Sequence, residues 1–319
     1  MTAAPSLPSC GPRAWRLLAL LVLLFHPGKA GWGAERPPAG GPGDLTVMSY
    51  NLRHAGGDTG GLAWEARRAA VADRIRAAGA DLVATQECLA VQADDLRRLL
   101  PDYELAGAGR DDGDRQGEMC ALLWRRADFV KLEEGHRWHG DDPLLPGRLD
   151  ADAACVRLFS WVLLADRERP ERRLLLVNTH LDHVGAVARE RAAARLQAWL
   201  AARDPRVPLV LAGDFNEAAG PASAPWRILT DPAAARPLRD IHRDLHPAAS
   251  PAQEATFNGF RTEDAPGRID WILASPELRP AACWIDRARP EGRPPSDHYP
   301  VVARLLWPDP SSGAREVAP

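Results

Sequence analysis

Two rhythms of apolar and polar positions take turns along this chain. Short runs rich in Leu, Val and Ile read as strands: Leu45 to Tyr50, Asp81 to Thr85, Tyr103 to Gly107, Met119 to Trp124, Val156 to Leu164, Leu174 to Thr179, Val207 to Ala212, Ile269 to Leu273 and Val301 to Leu306. Other stretches repeat at the helical spacing. Trp64 to Ala78 puts Val71, Ile75 and Ala78 on one face and charges on the other, a second helix closes near Leu100 ahead of Pro101, and a long Ala/Arg helix covers Ala186 to Ala202. Some strands are separated by helices and others follow one another directly, which argues against a purely parallel doubly wound sheet. The pattern predicts an α/β chain in which two mixed β-sheets pack face to face with helices outside them, a four-layer α/β sandwich. No repeat divides the run from Leu45 to Trp307.

The two ends follow neither rhythm. Arg13 and Arg16 precede the apolar run Leu17 to Phe25, and Gly28 and Ala30 follow it. This is the pattern of a secretory signal peptide over residues 1–30, cleaved after Ala30, and it predicts export to the periplasm or the medium. The run falls short of the about 20 apolar residues that span a bilayer, so an uncleaved anchor is the lesser alternative. A Pro/Gly-rich linker is expected over residues 31–43, one catalytic-sized domain over 44–307, and a disordered tail over 308–319.

Composition narrows the classes. With 45% hydrophobic residues the chain can bury a core, which excludes a wholly disordered protein. The formal net charge of −3 becomes −6 once the three cations of the leader (Arg13, Arg16, Lys29) are removed. That charge disfavours tight duplex binding, where many phosphates must be neutralised. Cys88, Cys120, Cys155 and Cys283 remain; an even count in an exported chain invites disulfides, while apolar surroundings fit buried thiols equally well.

The chemistry stands at the strand ends. Asn51 closes the first strand and Glu87 the second, and Glu118 opens the run GEMCALLWR. His180 lies in NTHLDH, Asp214 and Asn216 in GDFN, Asp270 in RIDWI, and Asp297 and His298 in SDHYPV. Ligands of α/β folds gather where strand ends meet loops. Carboxylates and amide oxygens are hard donors suited to Mg²⁺ or Mn²⁺, and imidazoles suit phosphoryl contacts or proton transfer near neutrality. No nucleophile elbow is present, so activated water is the economical attacking group.

The ordered set SYN, TQE, GE…LLWR, NTHLDH, GDFN, RIDWI and SDHYPV resembles the endonuclease/exonuclease/phosphatase superfamily, the fold of deoxyribonuclease I, over about Leu45 to Trp307. With ATFNGF it looks like an exported bacterial branch of that superfamily. The resemblance implies a metal-dependent phosphoesterase. Glu87, Asn51 and Asp297 would lie at the metal, Mg²⁺ or Mn²⁺. His180 would contact the scissile phosphate, oriented by Glu118, and Asn216 would help hold the phosphoryl group. Asp214 and His298 would share the base and transition-state roles, without spacing deciding which is the base, and Asp270 would support them.

Other features carry blander readings. His183 completes an HxxH, but the pair continues a strand, so a loop residue beside the site is expected rather than zinc. His136 and His139 read as surface or packing residues, and Trp124, Trp161 and Trp271 as core. Arg289 and Arg293 just ahead of Asp297, and Arg115 just ahead of Glu118, are the candidate substrate contacts. The expected partner is a phosphoester (nucleic acid, nucleotide, inositol phosphate or phospholipid head group) taken by a monomer. A secreted nuclease, a sphingomyelinase-like lipid phosphodiesterase and a silent binding protein of the same fold are the alternatives.

Overall fold

A computed structural model describes residues 43–308 of the chain. The leader, most of the linker and the tail beyond residue 308 lie outside the described residues. In chain order the strands are β1 (Asp44–Asn51), β2 (Leu82–Cys88), β3 (Tyr103–Ala106), β4 (Met119–Arg125), β5 (Phe129–Trp138), β6 (Leu158–Asp166), β7 (Arg173–His180), β8 (Leu209–Asp214), β9 (Arg239–Asp240), β10 (Asp270–Ala274), β11 (Arg279–Ile285) and β12 (Val301–Leu306). The helices are α1 (Trp64–Ala78), α2 (Ala90–Leu99), α3 (Ala186–Ala201), α4 (Ala224–Thr230) and α5 (Ile241–Leu245).

The strands form two six-stranded sheets, ordered β11-β12-β1-β2-β4-β3 and β5-β6-β7-β8-β10-β9. Only β1 with β2 and β7 with β8 run parallel, each joined through a helix; the other pairs are antiparallel. The two sheets are therefore mixed and flanked by helices, as the alternation of helix-linked and helix-free strands predicts.

Strand alternation sorts the side chains into layers. Leu45 and Val47 of β1, Leu82 and Ala84 of β2, Leu174 and Leu176 of β7, Val210 and Ala212 of β8, and Ile272 and Ala274 of β10 meet between the sheets. Met48, Val83 and Val302 face the other way and pack on Val71 and Ile75 of α1 and Leu96 of α2. Leu175, Val177, Leu209, Leu211 and Leu273 do the same against Ala192, Leu196 and Leu200 of α3 and Leu229 of α4. Each fully buried Leu, Val or Ile in these layers is worth about 1.5–3 kcal/mol. Trp124, Trp161 and Trp271 are core residues, as expected.

Toward one end the same inward faces turn polar. On β7 the series Leu174, Leu176 continues as Asn178 and His180. A 2.8 Å hydrogen bond from Gln86 Nε2 to Asn178 Oδ1 crosses between the sheets, and Asn178 Nδ2 donates to the carbonyls of Thr85 at 2.8 Å and Ala121 at 2.9 Å. This buried amide pair lies between the apolar layer and the strand-end cluster.

The strand β5 and the pieces β9, β11, α4 and α5 were not in the sequence pattern. β5 is an edge strand buried only at its two ends, Phe129 and Trp138, so it shows no alternation to read, and the HRWH stretch closes it. β11 is the opposite edge of the other sheet, with Pro280 beside a register shift. Cys88, Cys120, Cys155 and Cys283 are all free thiols.

Candidate active site

Sheet register puts the first polar row in place. In the second sheet His180 pairs with Asp214, and Asp214 with Asp270, so three chemically active side chains sit side by side on β7, β8 and β10. In the first sheet Asn51 pairs with Gln86 on neighbouring strands. Period-two alternation turns these residues inward, where the two sheets face one another.

Two turns then aim the remaining groups. Glu87 follows a register shift between Thr85 and Cys88, and its backbone is left-handed at φ 58°. A bulky non-glycine residue held there stores about 1–3 kcal/mol of strain, which clusters at functional sites. Its carboxylate accepts from Asn51 Nδ2 at 3.1 Å and from the His54 amide at 3.0 Å. Asn216 is also left-handed, at φ 51°, in a turn closed by its own N–H on Asp214 Oδ1 at 2.9 Å. The loop before β12 is tied to the cluster by Ser296, whose hydroxyl donates to the Asn51 carbonyl at 2.7 Å.

The cluster is continuous. Asn51 Nδ2 lies 2.9 Å from Asp214 Oδ2, bridging Glu87 and Asp214. Nε2 of His298 is 3.7 Å from the same Asp214 oxygen, and its Nδ1 is 2.9 Å from Asp270 Oδ2. Nε2 of His180 is 3.5 Å from Asp214 Oδ2 and 3.1 Å from Asn216 Nδ2. The Phe257 ring stands edge-on to His298, at 5.0 Å between centroids.

Charge states follow from these contacts. Burial and the facing Asp270 push Asp214 up to about 7. Burial works against a charge on His298, yet Asp270 and Asp214 carry its pKa well above the ordinary histidine value. Burial, then the Arg157 and His298 cations, hold His180 well below it. Burial also opposes the charge on Glu87, but His298, the His54 amide and the Asn51 amide keep its pKa below the usual carboxylate range. Asp297 is raised by burial and by the Glu87 charge, with His298 pulling the other way.

The donor set at Glu87 and Asp297 fits a hard divalent cation. Two carboxylates there repel one another, with Asn51 beside Glu87 and the Arg53 guanidinium 3.9 Å from Asp297. Asp214, Asp270 and His298 also bring three ligand atoms within 4.8 Å of one another. The two carboxylates favour the cationic form of His298, and in that form its ring offers no lone pair to an ion. Cys155, Asp182 and His183 form the other such group among the described residues. Both oxygens of Asp182 are already used by four backbone amides, of Ala154, Cys155, Val184 and Gly185, so it works as a loop staple.

Asn51, Glu87, Asp214, Asn216, His180, Asp270, Asp297 and His298 are thus brought together. Glu118 lies alongside, but not as the direct partner of His180: its Oε2 is 3.9 Å from His180 Nδ1, and Arg157 Nη1 stands nearer, at 2.9 Å from Nδ1. The three candidate arginines are engaged elsewhere. Arg289 is held by Asp264 and the Tyr299 hydroxyl, Arg115 by Asp94 of α2, and the guanidinium of Arg293 lies against Gly61. None of the three has a hydrogen bond or ion pair with Asp297 or Glu118, and Arg115 and Arg289 pair with other carboxylates. Arg157 was missed because it stands in no motif, and Ser296 opens SDHYPV without being singled out; only the folded structure shows what they touch. His139 is buried, 3.0 Å from the Thr179 hydroxyl, and His136 packs edge-on to Trp138.

A model of the Endonuclease/Exonuclease/phosphatase family matches residues 48–298. No curated protein matches the chain. Among solved structures, an endonuclease/exonuclease/phosphatase from Bacteroides vulgatus is 30% identical, with a TM-score of 0.76 over 83% of this chain and 99% of that one. A mannosyl-6-phosphatase from Bacteroides thetaiotaomicron is 30% identical, with a TM-score of 0.73 over 82% and 100%. A functionally unknown conserved protein from Enterococcus faecalis is 25% identical, with a TM-score of 0.71 over 82% and 100%.

Proposed function

Since this chain belongs to the Endonuclease/Exonuclease/phosphatase family, we propose that it is an exported, divalent-metal-dependent phosphoesterase that hydrolyses the phosphate ester of a small polar alcohol by attack of water. The observation that carries the reading is the continuous chain Glu87–Asn51–Asp214–His298–Asp270, with contacts of 3.1, 2.9, 3.7 and 2.9 Å. It connects a cation-binding end to a proton-handling end within one buried cluster.

The roles follow from charge. Asp214, with its pKa raised to about 7, is matched to accept a proton from water near neutral pH. His298, kept cationic by its two carboxylates, stabilises the extra negative charge that builds on the phosphoryl oxygens as water attacks. Asp270 fixes the ring of His298. His180 and Asn216 hold phosphoryl oxygens through N–H donors. A divalent cation held by Glu87 and Asp297, next to Asn51, would supply Lewis-acid polarisation of the phosphoryl group.

A small monoester is favoured over a nucleic acid by two considerations: the acidic net charge of the chain without its leader, and the likeness to a mannosyl-6-phosphatase over the full length of that protein. The signal-like leader supports export. The test is turnover of p-nitrophenyl phosphate, bis-p-nitrophenyl phosphate and a sugar-phosphate panel with Mg²⁺ or Mn²⁺, against a chelator control. Metal-dependent release from monoesters is expected; preference for the diester would move the reading to a phosphodiesterase. Failure on every ester with metal present would overturn it.

A further inference from the structure

Arg157 has no part in the chemistry above, yet it is a buried cation in contact with the site. It stands just ahead of β6, and its side chain is 8% exposed. Its Nη1 lies 2.9 Å from Nδ1 of His180 and 3.5 Å from Oε2 of Glu118, and its Nη2 lies 3.3 Å from Nδ1 of His183. A guanidinium carries only N–H donors and keeps its proton at any ordinary pH. Nδ1 of His180 must therefore accept, and the single hydrogen of the neutral ring must stand on Nε2.

That placement turns an N–H, not a lone pair, toward Asn216. Nε2 of His180 faces the amide nitrogen of Asn216 at 3.1 Å, and the same nitrogen donates to the Leu181 carbonyl at 3.0 Å, which fixes the amide's orientation. Two N–H groups thus converge, and the acceptor beside them is Asp214 Oδ2, 3.5 Å from Nε2. A phosphoryl oxygen would take a hydrogen bond from both.

Glu118 acting alone would set the opposite state. A carboxylate only accepts, so direct contact with Nδ1 would draw the hydrogen there and either strip Nε2 or make the ring a cation. Instead Glu118 is 3.9 Å from Nδ1 and is held at 2.6 Å by Arg110. It balances the charge of Arg157 and reaches the histidine through it.

We propose that Arg157 is the positioning residue that fixes His180 as the neutral, Nε2-protonated ring, so that His180 and Asn216 present a pair of N–H donors to a phosphoryl oxygen. Its kinetic consequence rests on the phosphoesterase reading; its structural content does not.

The deciding measurement is the ring-nitrogen NMR spectrum of the ¹⁵N-histidine-labelled full chain without substrate, with the His180 signals assigned through His180→Gln. Expected for the wild type is a bare Nδ1 and a protonated Nε2. In Arg157→Met the hydrogen should move at least partly to Nδ1, facing Glu118, and in Arg157→Lys the wild-type state should be largely restored. On p-nitrophenyl phosphate with Mg²⁺, kcat of Arg157→Met should fall roughly 10- to 100-fold, as when a partner that orients an active group is lost, with KM far less changed and Arg157→Lys partly rescuing kcat. A protonated Nδ1 in the wild type, or a His180 spectrum unmoved in Arg157→Met, would overturn the proposal. Absence of turnover by the wild type would sink the phosphoesterase reading instead, and the spectrum would still decide the role of Arg157.

Discussion

Asn51 donates a 2.9 Å hydrogen bond to Asp214, joining the end of a strand in one sheet to the end of a strand in the other. The bond stabilises the ionised form of a carboxylate that burial would otherwise neutralise. In Asn51→Ala the pKa of Asp214 should climb further, and the acid limb of the kcat profile should move to higher pH. Loss of the bridge should also lower kcat by about 10²-fold, the scale of a positioned general base. A pH–rate profile of the variant beside the wild type checks both.

Glu87 is the residue on which a cation should depend most. Glu87→Gln keeps the shape and the hydrogen bonds from Asn51 and His54 possible but removes the ligand charge. The Mg²⁺ or Mn²⁺ concentration for half-maximal activity should rise sharply. The metal-induced rise in melting temperature should shrink, while the melting temperature without metal stays near that of the wild type or above it. Unchanged metal dependence would remove Glu87 from the cation site.

Gly213 is required by a close approach rather than by its dihedrals. A Cβ there would run into the carbonyl of Thr179 on the neighbouring parallel strand. Gly213→Ala should push β7 from β8 just where His180 and Asp214 are in register. We expect a loss of about 1–3 kcal/mol, as for other overpacked sites, measured by urea denaturation. Activity should fall by more than stability alone explains, because the misplaced pair is reactive.

Acid should unfold the protein through two histidines outside the cluster. Burial, then Arg195, lowers His139 to about 3, and burial, then Arg268, lowers His242 to about 3. Unfolded histidines take protons near pH 6.5, so the stability from keeping these rings neutral is present above that pH. It is lost as pH falls toward 3, by about 1.4 kcal/mol per pH unit for each ring. Urea midpoints between pH 7 and pH 4 should therefore drop steeply, and His139→Gln together with His242→Gln should flatten the slope. An unchanged slope would mean that other groups drive the acid transition.

Much of this cluster was legible before folding because its polar residues close or open apolar runs. Period-two alternation makes the position of Asn51, His180, Asp214 and Asp270 computable from the strand itself. What was not legible depends on which strands become neighbours. Arg157 is an isolated arginine until β6 lies beside β7 and brings it to His180. The Gln86–Asn178 bond joins residues 92 positions apart from different sheets. Arg115 and Arg289 show the converse: nearness along the chain suggested a shared site, and the carboxylates of Asp94 and Asp264 hold their guanidinium groups instead. Edge strand β5 was hidden for a simpler reason, since its exposed stretch from Val130 to Glu134 shows no in-and-out alternation of apolar and polar residues.

The inward face of β7 reads Leu174, Leu176, Asn178, His180, passing from oil to amide to acid–base chemistry within one short strand. Mutational tolerance should divide along that line. Below Asn178, substitutions are constrained by volume and change only how firmly the sheets adhere. Above it, they are constrained by protonation and, on the proposed reading, change how fast an ester is cut. On that reading the loops around the rim can be remodelled, and with them the alcohol released, while the frame of the two sheets stays as it is.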